Sequence, residues 1–241
     1  MPTRLVIIPT YNEKENVEAI IRKVFSLGVR FDVLIIDDGS PDGTAQIVKK
    51  LQAEFADRLH LIERSGKQGL GTAYIAGFRW GVSHGYAQIC EMDADFSHNP
   101  DDLIRLSEAC DKGADIAVGS RYITGVNVVN WPMERVMISY YGSAYVRRML
   151  RLKVRDMTAG FKCYDRRVLE AIDFDRISMK GYGFQIEMKY TAIKLGFNLV
   201  EVPIIFVDRK LGSTKMSGGI FREALWGVIK LRFRCIKAAS R

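Results

Sequence analysis

Two short apolar runs, each unbroken and each ending in a polar cluster, constrain this chain more than any other feature. Leu5-Val6-Ile7-Ile8 leads into Pro9-Thr10-Tyr11-Asn12-Glu13, and Val33-Leu34-Ile35-Ile36 leads into Asp37-Asp38-Gly39-Ser40. Runs without polar alternation have no side to turn to water, so they read as strands covered on both faces. Further strand candidates lie at 59–63, 87–92 and 115–119, with helical candidates near 13–27, 43–55, 72–84 and 101–112 between them. This alternation with short connections predicts an α/β fold with a mainly parallel central sheet. In such sheets ligands bind beyond the carboxyl ends of the strands. The polar clusters fall there, and the fourth strand adds a third one, Asp93-Ala94-Asp95.

The second half is less regular. A helix is expected over 133–152, loop and strand over 156–164, a helix over 183–195 and a strand over 199–203. Residues 208–219 are rich in Gly, Ser, Thr and Lys and read as a loop. A chain of 241 residues suits one large domain, taken as 1–219, followed by a basic amphipathic helix over 220–241.

Composition excludes several classes. The chain is 48% hydrophobic and 27% charged, as globular proteins are. It has no apolar stretch of the roughly 18–20 residues that a membrane span needs. Met1-Pro2-Thr3-Arg4 lacks a signal-peptide layout, so the expected compartment is the cytoplasm. Cys90, Cys110, Cys163 and Cys235 are scattered and read as reduced thiols, and His60, His84 and His98 show no metal-ligand spacing.

Charge is unevenly placed. Residues 1–134 hold 14 Lys and Arg against 19 Asp and Glu, whereas residues 135–241 hold 22 against 9. A basic half points to an anionic partner, a phosphate, a membrane or a nucleic acid, or else to a solvated surface with none.

Carboxylates gathered at one sheet edge repel unless a cation compensates. An Asp-x-Asp pair after a buried strand can hold a hard divalent cation while leaving room for substrate phosphates, although residues 95–100 also suit a capped helix entry. Other phosphate-binding motifs fail. Ser65-Gly66-Lys67-Gln68 lacks the Gly that a P-loop needs at Leu61 and the Ser or Thr it needs at Gln68. Neither Gly-x-Ser-x-Gly nor His-Glu-x-x-His occurs.

Pro9-Thr10-Tyr11-Asn12-Glu13, Ile36-Asp37-Asp38-Gly39-Ser40-Pro41-Asp42-Gly43-Thr44, Met92-Asp93-Ala94-Asp95 and Gly119-Ser120-Arg121-Tyr122 together resemble glycosyltransferase family 2. Asp156-Met157-Thr158-Ala159-Gly160-Phe161, Lys180-Gly181-Tyr182-Gly183-Phe184-Gln185-Ile186-Glu187 and the pieces Val207-Asp208-Arg209 and Ser213-Thr214-Lys215 resemble its dolichyl-phosphate (polyprenyl-phosphate) mannose synthase branch. The resemblance runs from about residue 4 to residue 220.

It implies a GT-A-type fold and transfer of mannose from GDP-mannose to a polyprenyl monophosphate at the cytoplasmic face of a membrane, with inversion. Pro9, Tyr11, Glu13, Ile36 and Asp38 would then hold the guanosine. Asp93, Ala94 and Asp95 would meet the diphosphate and a Mg2+ or Mn2+ ion, with Asp95 and the weaker donor Ser97 as metal ligands. Arg121, Arg135 and Ser139 would receive the acceptor phosphate, and Arg209 and Lys215 would close on the donor, Asp93, Asp95, Arg121 and Lys215 being the catalytic set. The rival readings are the same chemistry with a UDP-sugar, a nucleotidyltransferase, and a non-catalytic module that binds anions or nucleic acid. Acidic clusters at the sheet edge do not suit nucleic acid, which is not expected as a partner.

Overall fold

The computed structural model describes residues 3–208 and 218–239, with side chains from residue 226 onward in the second stretch. The chain alternates as the apolar runs require: β1 (Arg4–Thr10), α1 (Val17–Phe25), β2 (Asp32–Asp37), α2 (Thr44–Gln52), β3 (Leu59–Glu63), α3 (Leu70–Ser83), β4 (Gln88–Glu91), α4 (Asp102–Asp111) and β5 (Ile116–Ser120). There follow β6 (Val128–Val129), α5 (Met133–Leu150), β7 (Lys162–Asp165), α6 (Arg166–Ala171), α7 (Tyr182–Lys194), β8 (Leu199–Pro203), β9 (Phe206–Val207) and α8 (Gly218–Phe233).

Seven strands form one sheet in the order β3-β2-β1-β4-β7-β5-β8, in which β7 runs antiparallel to both neighbours. The remaining pairs are parallel, so the expected α/β class holds. β1 divides its side chains between two apolar layers. Val6 and Ile8 join α1, α2 and α4 on one face, and Leu5 and Ile7 join α3, α6 and α7 on the other. Both faces are dry, which is why the run carries no polar alternation. The helix α3 lies close on the sheet because it crosses there with glycines. A Cβ on Gly77 would stand 2.7 Å from Ile7 Cγ2, and one on Gly81 would stand 2.8 Å from Ile89 Cδ1.

A third apolar cluster joins α5, α7 and α8 through Val146, Leu150, Ile186, Tyr190, Val228 and Leu231. Glu187, wholly buried on α7, accepts from the amides of Ser178 (3.0 Å) and Met179 (2.7 Å) and from Arg234. The C-terminal helix therefore ends at Phe233, short of the helix expected through 241. Arg234 is drawn to Glu187, and the amide of Ala239 donates to the Ala171 carbonyl (2.9 Å). Among the described residues no helix is long and apolar enough to cross a membrane.

Candidate active site

Because β1 lies between β2 and β4, connections leave it in both directions and open a crevice at the carboxyl ends of these three strands. The loops after β1 and β2 are stitched together there. Backbone amides of Asn12, Glu13 and Lys14 donate to the side chains of Ser40 (3.0 Å), Thr44 (3.0 Å) and Asp42 (3.1 Å). Asp37 accepts from Thr10 Oγ1 (2.8 Å) and from the amide (2.9 Å) and hydroxyl (2.6 Å) of Ser40. Asp38 is paired with Arg64, whose Nε lies 2.8 Å from Asp38 Oδ1. Burial pushes the Asp42 carboxyl up, and hydrogen bonds from Thr44 and the Lys14 amide outweigh it, leaving a lowered pKa. The carboxylates after β2 are thus compensated by the protein itself. The electrostatic case for a cation narrows to the pair after β4.

That pair is held differently. The Asp93 carboxylate is two-fifths exposed, and the Asp93 amide donates to His98 Nδ1 (3.2 Å). His98 is buried, stacked on Phe161 at 4.8 Å with the Phe206 edge at 5.4 Å. Burial lowers its pKa against the opposing charges of Asp93 and Asp95. With Nδ1 accepting, the neutral ring carries its proton on Nε2. Asp95 Oδ1 accepts from the Ser97 amide (3.0 Å), across a tight bend in which Phe96 has φ of 59°. Ser97 Oγ is buried with no hydrogen-bond partner among the described residues.

An orphaned hydroxyl beside a carboxylate suits a hard cation, which takes oxygen donors. Among the described residues no three His, Cys, Asp or Glu side chains are gathered as a cage. One or two carboxylates completed by substrate phosphates is the arrangement magnesium-type ions favour. Asp95, Ser97 and Asp93 therefore fit the expected metal.

The other sequence-derived residues divide. Tyr11 lies under the Lys67 ammonium, 5.1 Å from its ring centre. Pro9 is partly exposed, and Glu13 accepts from the Asn16 side chain (2.9 Å) at the same edge. The side chains of Ile36 and Ala94 are packed in the core, so only their backbones can meet a ligand. Arg135 donates to Asp208 (2.8 Å) with its guanidinium 4.0 Å from the Trp131 ring centre, and Ser139 Oγ accepts from Tyr122 Oη (2.7 Å). Arg121 is buried, its guanidinium spread along Asp156 at 2.7 and 2.6 Å and donating also to Thr158 (2.8 Å). Arg209 and Lys215 lie outside the described residues. Beside Phe96 opens a cavity of about 620 Å³, lined also by Asn99, Pro100, Thr124, Asn127 and Ile205.

Sequence reasoning missed the polar cluster beneath Asp93. Glu91, buried on β4, accepts from Lys162 (3.1 Å), Tyr164 (3.0 Å) and Gln185 (2.8 Å). Lys189 donates to the Ala159 carbonyl (2.7 Å), and burial holds its pKa well below the usual lysine value. The signal was partial, since of this cluster Gln185 alone lies in a branch motif.

A doubly covered sheet with paired aspartates at its switch point accommodates nucleotide-bound substrates, and the match to known proteins makes the class specific: a glycosyltransferase. The model of glycosyl transferase family 2 matches residues 5–173, and the chain belongs to that family. It is 48% identical over 229 residues to polyprenol monophosphomannose synthase of Mycolicibacterium smegmatis, covering 93% of this chain and 86% of that protein. It is 49% identical over 226 residues to undecaprenyl-phosphate mannosyltransferase of Micrococcus luteus, covering 94% and 92%. These relatives bear out the branch resemblance of the later motifs.

Among solved structures, glucosyl-3-phosphoglycerate synthase from Mycobacterium tuberculosis, in complex with Mn2+, uridine diphosphate and phosphoglyceric acid, superposes with a TM-score of 0.70. Its identity is 17%, and the match covers 96% of this chain and 79% of that one. The same enzyme with Mg2+ and uridine diphosphate gives a TM-score of 0.68 at 17% identity, over 95% and 79%. At that identity the likeness fixes the GT-A-type fold.

Proposed function

We infer that this glycosyltransferase moves mannose from GDP-mannose to a polyprenyl monophosphate, in a metal-dependent single displacement that inverts the anomeric carbon. The observation that carries the reading is the chain-long similarity to two relatives whose names specify mannose and a polyprenyl phosphate. A phosphate oxygen of the acceptor attacks the sugar C1, the bond from C1 to the GDP oxygen breaks, and GDP departs. The acceptor is already an anion at neutral pH, so no general base is needed to create the nucleophile.

Each group has a task in this scheme. Tyr11 offers a ring face and Asp38 a carboxylate to the guanosine, with Pro9, Glu13 and the backbone at Ile36 completing that side. Asp95 and Ser97 would hold a Mg2+ or Mn2+ ion, with Asp93 beside them at the diphosphate, and the ion would supply charge neutralisation for the departing diphosphate; both ions occur in structures of this fold. Arg135 and Ser139 receive the acceptor phosphate, the guanidinium stacked on Trp131 and so limited in its rotamers. Arg121 orders this wall from behind, with Arg209 and Lys215 assigned to the donor.

The acceptor is a lipid, so the enzyme works as a peripheral protein at a membrane surface, on the cytoplasmic side where nucleotide sugars are found. The test is incubation with radiolabelled GDP-mannose, a polyprenyl phosphate and Mg2+ or Mn2+, counting label in the organic phase. Label that requires the metal and is not competed by UDP-glucose supports the reading. Transfer from a UDP-sugar instead, or release of pyrophosphate, would overturn it.

A further inference from the structure

Asp93 is held from both sides of the sheet. On one side the Tyr74 hydroxyl, on α3, donates to Asp93 Oδ1 at 3.4 Å. On the other, the Asp93 amide donates to His98 Nδ1, and the His98 ring stacks on Phe161. Tyr74 belongs to the apolar layer shared by α3, α6 and α7, and Phe161 to the layer shared by α1, α2 and α4. One grip is on the backbone, the other on the carboxylate.

Packing alone does not explain the hydroxyl. Tyr74 is wholly buried, with its ring parallel to Phe184 of α7 (6.2 Å between centres, 3° between planes) and near-parallel to Phe78 (6.1 Å, 21°). Gly71 makes room for this stack, since a Cβ there would stand 2.8 Å from the Phe184 ring. A phenylalanine would fill the same space, and a buried hydroxyl is costly unless it is bonded. Asp93 is its one hydrogen-bond partner among the described residues. At 3.4 Å the bond is long for an O–H donor, as catalytic contacts often are before a substrate tightens them. The donor is also of a particular kind. Asp38 and Asp156 meet guanidinium groups, which offset their charge, whereas a phenol is neutral at neutral pH and gives direction without a counter-charge.

We propose that Tyr74 is a positioning residue for sugar transfer, its hydroxyl fixing one oxygen of Asp93 and so aiming the other at the bound nucleotide sugar. The helix that carries Tyr74 extends the consequence. Thr72, on the same turn of α3, accepts from Arg64 (3.0 Å), the partner of Asp38, and the Gln68 amide just before the helix donates to Asp38 (3.4 Å). The carboxylate assigned to the guanosine and the one assigned to the diphosphate are thus tied to one element. Gly77 and Gly81 let that element lie hard against the sheet, so the spacing between the two carboxylates is set by packed backbone. Such support matters because a reacting group displaced by about 1 Å can cost on the order of a hundredfold in rate. The inference rests on the reading of the crevice as a nucleotide-sugar site and names what aims one of its residues.

The experiment is calorimetric titration of GDP-mannose, with Mg2+ and no acceptor, into wild type, Tyr74→Phe, Asp93→Ala and the double variant, with melting curves alongside. Tyr74→Phe keeps the ring and removes one oxygen. It should melt near wild type and bind GDP-mannose about tenfold more weakly, because a hydrogen bond to a charged group is lost. In steady state its KM for polyprenyl phosphate should stay within about threefold of wild type, a split that general loosening of the fold would not give. In the Asp93→Ala background the same substitution should change the Kd by less than about twofold, since a residue acting through Asp93 then has no carboxylate to aim. Independently, a crystal structure of Tyr74→Phe should show the Asp93 carboxylate rotated or spread over two rotamers. Wild-type affinity in Tyr74→Phe, a loss of equal size with and without Asp93, or an unmoved Asp93 carboxylate would overturn the proposal. Wild type that binds a UDP-sugar instead would remove the donor reading alone, and the same pattern across the four proteins with that sugar would leave Tyr74 in its role.

Discussion

Arg121 and Asp156 are locked together by two charge-assisted hydrogen bonds of 2.7 and 2.6 Å, with the Arg121 amide donating a third to the same carboxylate at 3.0 Å. Both side chains are buried, so the pair fixes the turn after β5 to the loop before β7. An arginine so engaged shapes the wall behind the acceptor residues, its guanidinium lying 5.2 Å from the Tyr122 ring and 5.4 Å from the Trp131 ring.

Asp156→Asn should therefore be strongly destabilising, by about 3–5 kcal/mol in urea unfolding at neutral pH, because it leaves a buried guanidinium uncompensated. Arg121→Met/Asp156→Leu should recover much of the loss. Burial pushes the Asp156 carboxyl up, and the Arg121 charge and hydrogen bonds more than reverse this, so its folded pKa lies below the unfolded one. A lowered carboxyl pKa gives stability that is complete above the unfolded value of about 3.9 and is lost as pH falls through the folded value. The gap between wild type and Asp156→Asn should thus be widest near neutrality and narrow below about pH 4. A gap independent of pH would remove the carboxylate from the account.

The metal assignment predicts a graded response. Asp95→Ala should reduce turnover by about a hundredfold or more at any metal concentration, with the melting curve little changed. Ser97→Ala should raise the metal concentration needed for half-maximal rate several-fold while leaving the maximum within about tenfold, since water can replace a neutral hydroxyl ligand. Equal metal dependence in Ser97→Ala and wild type would take Ser97 out of the coordination set.

How much of this was legible in the sequence follows from what kind of interaction each residue makes. The strands showed themselves because Val6 and Ile8 face one apolar layer and Leu5 and Ile7 the other, which forces an unbroken run. Asp93 and Asp95 were found because the ends of parallel strands are where such folds bind ligands. Asp37 was read as one more carboxylate in need of a cation, yet it is a knot tied to Thr10 and Ser40, a difference of partners that spacing cannot express. Gln185 and Glu187 were seen only as part of a motif, because their partners Glu91 and Arg234 lie 94 and 47 residues away. The antiparallel β7 was equally hidden, as four residues between β4 and β5 carry no local sign of direction.

Close packing of α3 on β1 gives a prediction about the fold alone. Gly77→Ala would place a methyl group 2.7 to 2.8 Å from two carbons of Ile7. The sheet is buried on both faces and cannot yield, so the overpacking should exceed the usual gain of alanine over glycine in a helix. A net loss of about 1–3 kcal/mol is expected in denaturant unfolding. Shortening the facing residue in Gly77→Ala/Ile7→Val should return part of it, whereas Ile7→Val alone should destabilise.

Arg135 separates acceptor binding from donor binding. Its guanidinium is held by Asp208 at 2.8 Å and by the face of Trp131 at 4.0 Å, on the inner side of α5 next to Ser139. Asp93 and Asp95, by contrast, lie after β4 at the switch point. Removing a charged, positioned donor to a phosphate costs about 1.5–3 kcal/mol of binding, equivalent to roughly 10- to 150-fold. Arg135→Ala should therefore raise the KM for polyprenyl phosphate by about that factor, leaving the KM for the nucleotide sugar within about threefold. Arg135→Lys should rescue only part, because an ammonium keeps the charge but loses the planar stack on Trp131 and the paired donors. Asp208→Asn tests the same arrangement from the other side. It frees the guanidinium from its ion pair, so the acceptor KM should rise less than in Arg135→Ala. If both variants instead raise the donor KM and leave the acceptor KM unchanged, the phosphate that Arg135 meets is that of the nucleotide.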